Sequence, residues 1–421
     1  MKKLLAVLFA LSLVVAFAMP ASAADVKASG AYWIQGSLQD NPSMQDGDAT
    51  DSASSQWTMQ QFRAQVDFQV VKGLMLSTRM DIMERYWGES NTAATTRDNE
   101  VNIEFDRVYI TANVGPGVLK AGYQDNDYGL GFGNNYDSQP LVKYEIPFGK
   151  FVGELRWQSV YEGDVGATVA SKSVDEYAVG LKYKLDKGFV GVYNIYQAND
   201  SDLNDAGTGA EVGEKWTNEI KPYFMYAFGP VTLQGELSYQ WGEKDLVGST
   251  RDYKGLAYQV QADAKFGAIA VGGEFLFSEG DDPNTVDVES GTGLGLSPLG
   301  ALIMFDYWVN KFNGVSKWGS GIGKSNVAAM DVYASYQVSP KLNLRAQFSY
   351  ADADVKANSG VGSIDTDMGT ELDLTATYKI YDNLSYMVGF GYLWTGDYWK
   401  TATTSKIDND YLITNKLTLV F

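Results

Sequence analysis

The chain has 421 residues, 52 of them acidic against 33 basic, for a formal charge of −19. So acidic a protein lacks the surplus of Lys and Arg that neutralises phosphates, which argues against nucleic acid as a partner. It has no cysteine and no histidine, which removes disulfides, thiolate metal sites and the side chain that most often serves as a general base near neutral pH.

Met1-Lys2-Lys3 precedes an almost wholly apolar run from Leu4 to Met19, followed by Ala21-Ser22-Ala23. A basic start, a short apolar core and an Ala-x-Ala site predict a secretory signal peptide over residues 1–23, cleaved after Ala23. The run is shorter than the ~20 residues a membrane-spanning helix needs. Losing its two lysines takes the formal charge from −19 to about −21. Residues 24–421 show no linker and no change of style, and are read as one domain.

The first strand runs from about Val26 to Gln39, with Tyr32, Ile34 and Leu38 on one face and Ser29, Gln35 and Ser37 on the other. After a polar loop to about Ser55, Phe62, Ala64, Val66, Phe68 and Val70 form one row, and Gln61, Arg63, Gln65, Asp67 and Gln69 the other. Successive strand residues point to opposite faces, so this strand is apolar on one side and charged on the other. Lys72-Gly73 turns the chain, and Leu74, Leu76, Thr78, Met80 and Ile82 alternate with Ser77, Arg79 and Asp81. The next strand, Asn99 to Val114, changes parity between Phe105 and Val108, which predicts a β-bulge at Asp106-Arg107. Gly115-Pro116-Gly117 leads into Val118–Gln124.

Residues 125–139 lack strand alternation and mix glycine with Tyr128, Leu130, Phe132 and Tyr136. Those side chains gain little on an outer surface. Folded inward, they pack on a wall that the glycines let the backbone approach. A Gly-rich surface loop at a subunit interface is the competing reading.

Leu141–Ile146 is a short strand. Next come Phe151, Leu155 and Trp157 against Glu154, Arg156 and Gln158, then Tyr177, Val179, Leu181 and Tyr183 against Glu176, Lys182 and Lys184. Phe189–Gln197 is a strand whose faces are ambiguous. Ile220, Pro222, Phe224 and Tyr226 share a face, as do Leu233, Leu237 and Tyr239 opposite Gln234, Glu236 and Ser238. Strands follow through Leu256–Phe266 and Ile269–Phe277. Glu279–Ser325 is too long for a simple loop, and Leu299–Trp308 is read as a short helix or an extra strand. Regular alternation resumes at Ala328–Val338, Leu342–Tyr350, Glu371–Lys379 and Tyr386–Trp394, and the chain ends Leu417-Thr418-Leu419-Val420-Phe421.

The total is 18 strands, or 16 if Leu141–Ile146 or Phe189–Gln197 does not span. Alternation sustained through hairpin after hairpin, with short turns at one end and long polar loops at the other, predicts an all-β fold: a transmembrane, antiparallel, up-and-down barrel. Phe62, Phe68, Leu233, Tyr239, Phe348 and Phe390 are expected on lipid, and Arg63, Gln65, Glu236, Gln347 and Glu371 in the lumen.

The ending Leu417, Leu419, Phe421 resembles the carboxy-terminal signal of bacterial outer-membrane barrels, which implies recognition of Phe421 by the barrel-assembly machinery. Leu119-Lys120-Ala121-Gly122-Tyr123-Gln124, followed by the Gly-rich aromatic segment to Asn135, resembles the trimeric porins of Gram-negative bacteria. The resemblance implies an outer-membrane homotrimer amid lipopolysaccharide, passing small hydrophilic solutes and ions by diffusion. It further implies a constriction in which Asp125, Asp127 and Asp137 face Arg63, Arg79 and Arg107. Ala28, Gly30 and Gly36 on the first strand suit a flat subunit contact. The acidic Pro-Glu-Phe-Gly-Gly motif of enterobacterial porins is absent, and the strand count is nearer the sugar-specific porins, so the solute is not assigned.

Other readings are weighed beside this one. Barrel lipases, proteases and acyltransferases lean on histidine, so no catalysis is expected. Trp33, Tyr109, Tyr223 and Tyr333 suggest a sugar-stacking path, against isolated girdle aromatics. Asp200, Asp202, Asn204 and Glu211 occupy positions 1, 3, 5 and 12 of a calcium-loop template. Asp205 replaces the required glycine, and a solvated acidic loop is the competing account. No other cofactor is implied. A surface structural or adhesin barrel with an occluded lumen is the alternative function.

Overall fold

Eight two-residue turns, from Lys72-Gly73 to Asp382-Asn383, join strands at one end of the molecule. Gly73, Gly115, Gly149, Gly229 and Gly267 take positive φ there, a conformation that side chains with a Cβ disfavour. The computed structural model describes residues 25–44, 54–88, 103–132, 138–162, 173–199, 212–246, 249–290, 300–306, 325–357 and 360–421.

The strands are β1 (Asp25–Gln39), β2 (Ser55–Val71), β3 (Leu74–Tyr86), β4 (Ile103–Val114), β5 (Gly117–Asp125) and β6 (Ser138–Phe148). They continue with β7 (Phe151–Glu162), β8 (Ser173–Leu185), β9 (Gly188–Asn199), β10 (Val212–Phe228), β11 (Val231–Leu246) and β12 (Ser249–Phe266). The last six are β13 (Ile269–Ser278), β14 (Val327–Ser339), β15 (Leu342–Asp352), β16 (Asp367–Tyr381), β17 (Leu384–Thr395) and β18 (Asp410–Val420). Each pairs antiparallel with its sequence neighbours, and β1 pairs with β18, so the 18 strands close into a barrel. At that seam Ser37 and Thr414 bond through their hydroxyls at 3.0 Å, and Gly30 and Phe421 exchange backbone hydrogen bonds of 2.9 and 3.0 Å. Both strands that left the count at 16 or 18, β6 and β9, are full members. Among the described residues the only helical element is a 3-10 turn, Asp397–Trp399.

The distribution of polarity is inverted relative to a water-soluble protein. Gln35, Gln158, Gln259, Gln347 and Ser349 are buried on the interior rows, while Leu155, Val179, Val332 and Leu374 are exposed on the outer rows. Tyr239, Phe348 and Phe390 are exposed outside, and Glu236, Gln347 and Glu371 are buried inside, as the alternation predicted. Phe62, Phe68 and Leu233 are half-buried on outer rows. The bulge in β4 is present: Arg79 pairs with Arg107 and Met80 with Phe105, leaving Asp106 as the extra residue.

Strand β9 explains its own ambiguity. Tyr193 and Ile195 are buried while Val190 and Tyr196 are exposed, so an interior row that is elsewhere polar is apolar here. A segment inside the barrel packs on it. The expectation of a helix or strand at Leu299–Trp308 is not met. Residues 300–306 form bends and a turn, and the backbone N–H groups of Leu302, Ile303 and Met304 are taken by side chains of the wall rather than by a helix or a ladder. Residues 299, 307 and 308 lie outside the described residues.

Candidate functional site

The lumen wall divides by charge. Strands β2 to β7 carry Arg63, Arg79, Arg107, Lys120, Lys143 and Arg156 on interior rows. Ladder register sets Arg79 directly opposite Arg107, Lys120 opposite Lys143, and Lys143 opposite Arg156. Like charges so placed repel, and carboxylates are interleaved among them. Arg63 holds Asp81 in a two-point contact, Nε to Oδ1 and Nη2 to Oδ2, both 2.6 Å. Arg79 pairs with Asp106, which the bulge turns inward. Arg107 Nη1 lies 2.8 Å from Asp125. Strands β12 to β18 carry Asp263, Glu274, Asp331, Glu371, Asp373 and Asp410 instead, with Arg345 and Lys416 turned onto the rings of Tyr333 and Trp33.

The structure therefore brings Arg63, Arg79, Arg107 and Asp125 together on one wall. The sequence reading set Asp125 across the neck from the arginines; it is instead beside Arg107 as its ion-pair partner. Asp127 contributes through its backbone, and Asp137 lies outside the described residues.

From Asp125 the chain runs inward along β7 to β11. Arg156 donates to the carbonyls of Asn126 and Asp127 at 2.9 and 3.0 Å and to Glu154 Oε1 at 2.8 Å. Its side chain is 1% exposed. Tyr128 donates to Glu176 Oε1 at 2.6 Å and packs edge-on against Tyr193, which stacks on Tyr223. The Leu130 N–H donates to Glu236 Oε2 at 2.5 Å, and Glu236 lies 3.7 Å from Lys221. Gly129 has φ +60°, and a Cβ there would strike the Glu236 carboxylate and the Tyr223 ring. Every anchor is a lumen side chain two or more strands beyond β5. The sequence reading placed Arg156 and Glu236 on interior rows but missed them as anchors, since an alternation pattern says which face a residue takes and nothing of what it meets there.

A second inward segment was also missed. Ala301, Ile303, Met304 and Phe305 are buried in an apolar cluster with Leu276, Ala329, Ala351, Leu393 and Trp399. Glu371 accepts the N–H groups of Leu302, Ile303 and Met304 at 3.0, 2.7 and 2.6 Å, and Asp373 accepts that of Leu302 at 3.2 Å. Consecutive backbone N–H groups aimed at one carboxylate form an anion-holding concavity. Gly389 and Gly391 on β17 face Leu302, and a Cβ on either would crowd it. The run Ala301 to Phe305, apolar within a polar connection, was the available signal.

The four candidate stacking aromatics are not brought together: Trp33, Tyr109, Tyr223 and Tyr333 lie on β1, β4, β10 and β14. Asp200, Asp202, Asn204 and Glu211 lie outside the described residues, and among the described residues no group of three or more metal-ligating side chains is poised for an ion. Phe421 sits on the outer face at the seam, its ring 6.1 Å from that of Phe62.

No protein-family model and no curated protein matches the chain. Solved structures do. Pseudomonas aeruginosa OccK9 (OpdG) is 12% identical, with 94% of this chain and 99% of that one covered and a TM-score of 0.54. OccK8 (OprE) of the same organism is 12% identical, with 94% and 98% covered and a TM-score of 0.51. OccK1 (OpdK), also from P. aeruginosa, is 10% identical over 94% and 98%, with a TM-score of 0.51. At such identities the shared property is the architecture, and the chain has the fold of an 18-stranded porin-type barrel.

Proposed function

We propose that the protein is a bacterial outer-membrane porin, passing small hydrophilic solutes and ions by diffusion through the lumen. The observation that carries this reading is the inverted barrel: a closed sheet with no free edge, apolar outside and lined by amides, hydroxyls and charges. Only such a closure satisfies every backbone group of a sheet in hydrocarbon, and a wall so lined suits water. The fold likeness to the OccK and Opd proteins supports it. The strands run 9 to 18 residues, enough for the 9–11 that a tilted crossing takes. In this reading residues 1–23 direct export, the assembly machinery recognises the strand ending in Phe421, lipopolysaccharide surrounds the outer rim, and the protein is a homotrimer without catalytic activity. Reconstitution into a planar bilayer tests it: discrete conductance steps support the channel, and an electrically silent, folded barrel refutes it.

The occluded structural barrel is the second reading, favoured by the apolar cluster around Met304 and Phe305 inside the lumen. Swelling of liposomes in sugars of increasing size separates the two, since an occluded barrel admits none.

A further inference from the structure

Deep in the lumen the cations are paired: Arg63, Arg79, Arg107, Arg156 and Lys221 each have a carboxylate within 4.0 Å. The rim that carries the long loops is different. Ladder register sets Lys215 of β10 directly opposite Lys244 of β11, and Lys244 directly opposite Arg251 of β12. The pairing of β11 with β12 runs unbroken from Glu236–Gln259 to Lys244–Arg251, so the three cations share the interior face with Glu236. Residues so opposed hold their Cβ atoms about 4.5–5.5 Å apart, and like charges there repel.

The protein does little to offset this row. Among the described residues none of the three pairs with a carboxylate, and the Arg251 Nε is without a partner. Lys215 has its ammonium 4.0 Å from the ring centroid of Tyr253, a contact that attracts a cation without neutralising it. The carboxylates nearest in sequence, Glu243, Asp245 and Asp252, alternate onto the outer face. Those of the following loop are engaged elsewhere. Asp287 and Glu289 pair with Lys254 at 3.8 and 3.4 Å, and Asp281 accepts the Glu289 N–H at 2.8 Å. The row is also firmly mounted. Val288 extends the ladder on the far side of β12 through backbone bonds of 2.9 and 2.8 Å with Lys254 and Asp252. Lys215, Lys244 and Arg251 are only half-buried, so each keeps surface open to solvent at the mouth.

We propose that Lys215, Lys244 and Arg251 form an entry site for the phosphate group of a phosphorylated solute. The proposal deepens the channel reading and rests on it, since an interior site at the rim serves a solute that goes on through the lumen. A phosphate monoester brings nearly two negative charges and three terminal oxygens. The Arg251 fork suits two of those oxygens at once, and the lysines act as point charges on the remainder. A single carboxylate, with one charge and two oxygens, leaves the row undercompensated. Bound phosphate cancels the repulsion along the row and holds the solute at the mouth of the passage.

Glucose 6-phosphate is the probe. It is titrated calorimetrically into the purified full-length protein in detergent at low salt, and the same preparation is examined in a planar bilayer. The wild type is expected to bind it, and K215Q/K244Q/R251Q to bind at least tenfold more weakly. Gluconate, with one carboxylate, is expected to bind the wild type at least tenfold more weakly than glucose 6-phosphate does. No binding by the wild type, or equal affinity in the triple variant, overturns the site; gluconate binding as tightly overturns the choice of phosphate. Conductance without binding of glucose 6-phosphate removes the site and leaves the channel; silence in the bilayer removes the channel reading instead. Heat-modifiable migration in gels establishes that the triple variant is folded, and K244Q alone, expected to weaken binding by a smaller factor, serves if it is not.

Discussion

Arg156 holds its guanidinium 3.9 Å from the ring centroid of Tyr128. That contact lies inside the barrel, where one cation fastens the loop after β5 through a ring face, two backbone carbonyls and the carboxylate of Glu154. Replacing Arg156 with Ala strands Glu154 without its ion-pair partner and frees the carbonyls of Asn126 and Asp127. Breaking a buried pair from one side costs about 3–5 kcal/mol. Urea unfolding should show that loss, and single-channel recordings should show larger, noisier openings.

Gly129 gives a sharper test of the same loop. Alanine there must take a positive φ and enter the space of Glu236 and Tyr223. The expected loss is more than about 1 kcal/mol, read as a lower midpoint of thermal melting in detergent. An unchanged midpoint means that the loop does not sit against β10 and β11.

Glu371→Gln tests the second inward segment. The amide replaces one acceptor oxygen by a donor that faces backbone N–H groups. Leaving buried N–H groups without an acceptor costs about 1–3 kcal/mol each, so the segment should loosen while the barrel remains closed. A spin label at Met304 should become mobile in the variant and stay immobile in the wild type.

The two faces of β7 should respond oppositely to one substitution. Leu155, 53% exposed outside, becomes arginine at a cost of about 2–4 kcal/mol if it lies near mid-membrane. Gln158→Arg on the interior row should alter conductance far more than stability. Unfolding in lipid vesicles compares the pair.

Neutralising Arg63 and Arg79 together leaves Asp81 without its partner and Asp106 with only Arg107, 4.0 Å away. The lumen near β2 to β4 then carries excess negative charge, and the reversal potential under a salt gradient should move toward cation preference. A shift toward anions would contradict the placement of these arginines on the lumen wall.

The outline of the fold was legible because a period of two is local. Phe348 and Gln347 differ by one position and by face, and the sequence alone says so. The break of that period at Asp106 disclosed the bulge for the same reason. What stayed hidden depends on contacts far along the chain. Tyr128 meets Glu176 and Leu130 meets Glu236, and no local pattern links them. Strand β9 looked ambiguous because its interior row is apolar, a property explained only by the loop that covers it. Leu299–Trp308 read as a helix or strand because its apolar character is real, while the carboxylate that claims the backbone of Leu302 to Met304 lies about seventy residues away on β16.

Ser37 and Thr414, bonded across the seam, are separated by 377 positions. Every other pair of neighbouring strands is consecutive in the chain, so the wall can zip up hairpin by hairpin. Closure is a single long-range event, and its entropic cost grows only slowly with the length of chain between. Until it happens, β1 and β18 each present an unpaired edge, the surface most apt to capture a strand of another molecule. A circular permutant with its ends at Asp186-Lys187 and its present ends joined would turn the seam into one more hairpin. The vulnerable edges would then pass to β8 and β9, and misassembly should follow them there.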